Sequence, residues 1–376
     1  MEPLLLRLGE PRELLALVPH LLGFQPRDSA VAVSLRGPRG RVGLVARVDL
    51  QDLADPEHGP QVARSLAAHL DRDGARRTVL VLYTGVAADV DDALVGAAAA
   101  HAAEAFDVPF GGADVLVVGD TSYRCLACDP SCCPPGGRPS SDLQSTRTGA
   151  EMVLAGSVVA PERAALARVG GAPTAARRAV ARVRRRRTEA RARAVASGPR
   201  ALTRWRAESL AAWRALVAAA DGTGGGVGGN LTRIALLGRV EAGLADRRVR
   251  DAVLVATLPG AGSLPERALA EAGPAEDAEV GAAIGRLVDP TVGEPPDDSL
   301  HAVRTALEDV VSHGRRGAQA PASTLLATLA WWQGDGARAA VLLDRALVDD
   351  PSYRLGHLMR SALDAGLAPG WVRRTG

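Results

Sequence analysis

Apolar positions change their spacing along this chain. Before residue 128 they come in short runs, and beyond residue 147 they return mostly at helical intervals. "DSAVAVSL" (28–35) and "RVGLVARVDL" (41–50) are apolar, β-branched runs separated by the Gly/Pro spacer "RGPRG", which predicts a hairpin. "GPQVARSLAAHLDRDG" (59–74) places Val62, Leu66 and Leu70 four residues apart, the period of a helix. "RTVLVLYTG" (77–85) is a continuous apolar run, as a strand buried on both faces requires. An Ala-rich helix follows over 90–106, and then strand, Gly-Asp turn and short strand over 113–128. The order β-β-α-β-α-β-β predicts an α/β fold: an N-terminal mixed sheet with helices packed on it.

From residue 147 the pattern is mostly helical. The segment 174–196 is a helix rich in arginine, and 199–222 is an amphipathic helix with Leu202, Trp205, Leu210, Trp213 and Leu216 near one face. "GTGGGVGGN" (222–230) reads as a connector, with Asn230 as the N-cap of the next helix. "DAVLVATLPG" (251–260) fits a short strand or a buried helix equally well. Near the C-terminal end, "STLLATLAWWQGDGARAAVLLDRALVDDP" reads as two helices joined at "QGDG". Its Ala339, Leu343, Ala346 and Pro351 carry the spacing of a tetratricopeptide-like second helix. Only about one and a half such units are present, so an αα-hairpin closing a helical domain is preferred to a repeat array. Three parts are predicted: an α/β domain over 1–146 ending in a Cys/Pro/Gly-rich loop, a helical arginine-rich middle over 147–222, and a helical C-terminal domain over 223–376.

Composition sharpens this picture in three ways. Aromatic residues make up 3% of the chain, so the core must be built largely from Ala, Val and Leu. All 45 basic residues are arginine, which points to a GC-rich genome and weakens each arginine as a chosen nucleic-acid contact. The net charge of +2 supplies no global field. No apolar run is long enough for a membrane span, and charges from Glu2 to Glu13 interrupt any signal-peptide core. The expectation is a cytoplasmic protein without a membrane partner, in a compartment where thiols stay reduced.

Two separated stretches, "LLALVPHLLGFQPRDSAVAV" with "RVDL" and "SYRCLACDPSCCPPGGRP", together with the C-terminal "LLATLAWWQGDGARAAVLLDRALVDDPSYRLGHLM", resemble the actinobacterial family known as domain of unknown function 4192. The resemblance covers nearly the whole chain. It implies an intracellular actinobacterial protein and implies no activity, so whether the chain is an enzyme stays open. It supports the vicinal pair Cys132–Cys133 more than Cys125 and Cys128 together.

Three groups of residues carry candidate chemistry. All four cysteines, Cys125, Cys128, Cys132 and Cys133, lie in "CLACDPSCC" with spacing C-x2-C-x3-C-C. A zinc site prefers two separated chelating pairs, and no histidine is near. No cofactor is therefore predicted, with zinc as the alternative. A bridge between adjacent Cys132 and Cys133 is strained, whereas Cys125–Cys132 or Cys128–Cys133 is more reasonable. Packing of small apolar side chains is the plain reading beside both. Arg47 and Asp49 share a strand face, and with Asp28 and Asp120 at strand ends they form a candidate polar site or simple turn caps. Arg177, Arg178, Arg182, Arg184, Arg185, Arg186, Arg187, Arg191 and Arg193 are candidates for polyanion binding, against a solvated helix face. A Walker lysine is excluded, and no G-x-S-x-G or H-E-x-x-H element occurs. The leading expectation is a non-enzymatic binding or scaffold protein using its C-terminal helices for a protein partner. The alternatives are a nucleic-acid-associated protein acting through 174–196 and a thiol- or metal-dependent enzyme centred on 125–133.

Overall fold

The computed structural model describes residues 10–37, 40–85, 92–128, 133–134, 136–222, 230–270 and 273–375. The connector at 223–229 and the Asn230 cap lie outside what can be described. Two compact units divide the chain, Met1–Leu166 and Ala167–Gly376.

The first unit is an α/β layer structure. Its helices are α1 (Pro11–Leu22), α2 (Leu50–Ala54), α3 (Gly59–Arg72), α4 (Ala93–Phe110) and α5 (Arg147–Leu154). Its strands are β1 (Ser29–Arg36), β2 (Arg41–Asp49), β3 (Ala75–Tyr83), β4 (Asp114–Val118), β5 (Ser122–Cys125) and β6 (Arg138–Pro139). They form one mixed sheet in the order β2-β1-β3-β4-β5-β6. The predicted hairpin pairs β1 with β2 in register Ser29↔Asp49 and Val31↔Arg47. β3 and β4 are parallel, as the α4 crossover between them requires. One sheet face presents Ala30, Ala32, Leu80, Leu82 and Val117 to Leu53, Leu66, Leu70, Ala98, Ala102 and Phe106 of α2, α3 and α4. The alanines let these helices approach closely, which explains a core with so few rings. Val31, Val33, Val79, Val81 and Val118 on the opposite face are buried as well. That double burial is why β1 and β3 read as unbroken apolar runs.

The second unit is all helical: α6 (Thr174–Ala196), α7 (Pro199–Ala220), α8 (Asn230–Leu244), α9 (Arg247–Ala256), α10 (Leu264–Arg267), α11 (Pro274–Gly285), α12 (Leu300–His313), α13 (Ala320–Trp332), α14 (Gly336–Asp349), α15 (Arg354–Asp364) and α16 (Gly370–Thr375). The ambiguous stretch at 251–260 resolves as helix α9, because Asp246 caps its first turn and Val249, Ala252, Val253 and Val255 are buried at helical spacing. In the predicted αα-hairpin, Ala339, Leu343 and Ala346 of α14 are buried where α14 packs on α13. α13 is buried along its whole length except Pro321, which places it at the centre of the unit.

The predicted boundaries at 146 and 222 are both displaced. Helix α5 belongs with the first unit: it packs on α1, where the Thr148 amide donates to Glu13 Oε2 at 2.8 Å. No division falls near 222, because one buried cluster runs from Val180 and Trp205 through Leu237 and Val253 to Leu325 and Leu343.

The α6–α8 crossing depends on Gly238. A Cβ there would lie 2.6 Å from Val183 Cβ and 2.8 Å from the Val180 carbonyl oxygen. Gly238→Ala must push these helices apart and is expected to cost about 1–3 kcal/mol as overpacking. Thermal unfolding followed by tryptophan fluorescence checks this, since all 5 tryptophans lie in the second unit.

Candidate functional site

Three regions hold the chemistry-bearing side chains. The first is the end of the sheet where the parallel strands β3 and β4 finish, the edge at which α/β folds present their loops. Asp28 enters β1 in a left-handed backbone conformation, φ 44°, which aspartate tolerates better than most residues. Its carbonyl accepts from the Leu50 amide at 3.0 Å. Arg47 Nε donates to Ser29 Oγ at 2.9 Å, and its guanidinium pairs with Asp49 at 2.6 Å. Asp49 is exposed, so water screens this pair and it contributes little to stability. Asp120 is exposed in the β4–β5 turn, with β3 standing between it and Asp28, about two strand spacings or ~10 Å across the sheet. The structure therefore joins Arg47, Asp49 and Ser29, and leaves Asp28 and Asp120 as separate rim acids. Tyr83, beneath this rim, has a buried hydroxyl with no hydrogen-bond partner among the described residues. Burial pushes its phenol far above the ordinary tyrosine range.

The second region is the cysteine loop. Cys125 closes β5, and its amide donates to Cys133 Sγ at 3.5 Å. Cys128 Sγ lies 3.4 Å from Cys133 Sγ. Cys133 is buried and Cys128 half-buried. Cys132 lies outside the described residues. Among the described residues no three His, Cys, Asp or Glu side chains are grouped to hold a metal ion.

The third region is α6, where the nine arginines separate by face. Arg184, Arg187 and Arg191 turn inward. Arg184 lies 3.5 Å from Glu241. Arg187 pairs with Glu208 at 2.7 Å, donates to the Trp205 carbonyl at 2.6 Å and stacks 4.9 Å from the Trp205 ring centroid. The Trp205 indole N–H returns a bond to the Arg187 carbonyl at 3.1 Å. Arg191 and Arg206 converge on Asp246 at 2.8 and 3.1 Å, and Asp246, only 2% exposed, also accepts from the Arg248 amide. Arg177 is half-buried. Arg178, Arg182, Arg185, Arg186 and Arg193 are exposed, and their guanidinium groups have no partner among the described residues. Glu189 is the single acid on that outer face.

Sequence reasoning missed the inner carboxylates. Asp246 could have been found as an N-cap immediately ahead of "RRVRDAV". Glu241 carries no such local signal. Its Oε1 accepts from the Arg315 amide at 2.7 Å and from Gln319 Nε2 at 2.9 Å. Burial raises its pKa above the ordinary carboxylate range, outweighing those bonds and the Arg184 charge. A separate cleft between α7 and α10 is lined by Thr203, Ala207, Leu210, Ala211 and Leu269 together with the Arg214–Glu266 ion pair.

No match was found among curated proteins, and none among solved structures. A family model described as "Domain of unknown function (DUF4192)" matches residues 11–370.

Two outcomes follow for the inner carboxylates. Asp246→Ala strands the Arg206 guanidinium at a buried site and frees the more exposed Arg191, and is expected to cost about 3 kcal/mol, measured by urea denaturation. For Glu241, the folded chain holds the proton more tightly than the unfolded one. Its contribution is therefore fully present below the unfolded-chain pKa and is lost as pH rises through the folded value. Denaturation midpoints between roughly pH 4 and 7 should fall less steeply with pH in Glu241→Gln than in the parent chain.

Proposed function

The chain belongs to the DUF4192 family, and we propose that it is a non-enzymatic, cytoplasmic, actinobacterial binding protein that grips the phosphate backbone of duplex nucleic acid along the outer face of α6. The observation that carries this reading is the division of the arginines. Those turned inward are matched by Glu241, Glu208 and Asp246, whereas Arg178, Arg182, Arg185, Arg186 and Arg193 are unmatched on one exposed side of the same helix. From Arg178 to Arg193 this ridge runs about 22 Å along the helix axis. A row of guanidiniums of that length suits successive phosphates, each taking a forked pair of N–H donors. Arg200 and Arg204, exposed at the start of α7, extend the basic surface past the turn.

Several features favour backbone contact over base reading. No aromatic side chain lies within α6, so bases have no platform to stack on. The ridge supplies positive charge without a set of amide side chains to read base edges. Binding of this kind is sequence-independent and strongly salt-dependent. A protein partner on 321–366 has less support, because α13 within that span is buried apart from Pro321.

Fluorescence anisotropy with a labelled duplex tests the reading. With five phosphate contacts, log K should fall with log salt at a slope of about −4 to −5. Replacing Arg178, Arg182, Arg185, Arg186 and Arg193 together by glutamine should abolish that binding with the circular dichroism spectrum unchanged, since these side chains are exposed and their guanidiniums have no partner among the described residues. Unaltered affinity in the fivefold variant overturns the proposal.

A further inference from the structure

The cysteine loop supports an inference independent of nucleic-acid binding. We propose that Cys128 and Cys133 are a redox-active dithiol that is oxidised to an intramolecular disulfide by low-molecular-weight disulfides.

Three observations converge on this pair. First, the two sulfurs are already in contact at 3.4 Å, so bond formation at ~2.05 Å requires a closure of little more than an ångström. Four residues lie between them, which spares the bridge the strain of a vicinal pair. Second, the Cys125 amide, fixed at the end of β5, points its N–H at Cys133 Sγ. A donor aimed at sulfur favours the thiolate over the thiol, and the thiolate is the attacking species in exchange. Third, accessibility differs between the two partners. Cys128 is half-buried and open to a small oxidant, whereas Cys133 is only 8% exposed and is sheltered from direct attack. This is the division between a reacting and a resolving cysteine.

The exchange then runs in two balanced steps. The Cys128 thiolate attacks one sulfur of a small disulfide RSSR, forming the mixed disulfide Cys128–S–SR and releasing RS⁻. The Cys133 thiolate attacks Cys128 Sγ, forming the Cys128–Cys133 bridge and releasing a second RS⁻. The two cysteines are oxidised, RSSR is reduced, and the two thiol protons end on the two RSH molecules released. The bridge ties residue 128 to residue 133 between β5 and β6, at the edge of the sheet.

The test treats the intact protein with oxidised glutathione, quenches with iodoacetamide and maps the bridged peptide by fragmentation in a mass spectrometer. The parent chain is expected to lose two hydrogen masses, with the bridge located at Cys128–Cys133. The Cys125→Ser/Cys132→Ser variant should form the same bridge at the parent rate. Cys133→Ala should stop at a glutathione adduct on Cys128, and Cys128→Ala should form neither adduct nor bridge at that rate. The proposal is overturned if the parent bridge joins any other pair, or if the double serine variant keeps both thiols. Stoichiometric zinc that shields Cys128 and Cys133 from alkylation, seen by native mass spectrometry, would also overturn it.

Discussion

Asp246 sets the geometry of the helical unit. A carboxylate removed from water is costly, and here two guanidiniums and a helix-capping amide offset the cost together. The contacts come from α6, α7 and the start of α9, so satisfying one charge locks three helices. Arg206 continues the tie by donating to the Leu269 carbonyl beyond α10. Because Arg184, Arg187 and Arg191 recur at intervals of three and four, fixing one of them inward turns all three inward. The rotation of α6 about its own axis is thereby decided, and so is which arginines face water.

The two units solve the shortage of aromatic residues differently. The first relies on alanine at helix–sheet contacts, with Phe106 as its one fully buried phenylalanine. The second gathers the tryptophans and uses their N–H groups to close loops. Trp331 donates to Leu367, Trp332 to Glu294 and Trp371 to Trp332 carbonyl oxygens, at 2.7 to 3.0 Å. In a chain with few rings, these three indoles both fill volume and satisfy backbone carbonyls.

Legibility followed the strength of periodicity. β1, β2, β3, α3 and α4 were readable because unbroken apolar runs and four-residue spacing leave little choice. Helix α1 was obscured by its charges and by Pro19, although Leu14, Leu15, Val18 and Leu22 carry its buried face. The boundary at Leu166 was not readable, since α5 is attached by a contact between residues 13 and 148. On α6 the arginine-rich helix was legible, and its inner contacts are Val180, which is buried, and Val183, which meets Gly238. The separation of its arginines was hidden, because their partners lie between 21 and 57 residues away along the chain. At the cysteine loop, spacing alone left Cys125–Cys132 and Cys128–Cys133 both open. Only the return of the chain from β5 toward β6 shows which sulfurs meet.

The enclosed position of α13 bears on how the chain is made. On the ribosome, α8 and α12 emerge before α13, the buried helix on which both pack, at ~5–20 residues per second. The sheet of the first unit is complete in sequence by residue 139, long before that. Until residues 320–332 are made, the faces of α8 and α12 that meet α13 lack that partner. The packing of α8 and α12 on α13 is thus a late step, after α6, α7 and α8 can already meet one another. Until then the nascent polypeptide offers that apolar surface to holding chaperones.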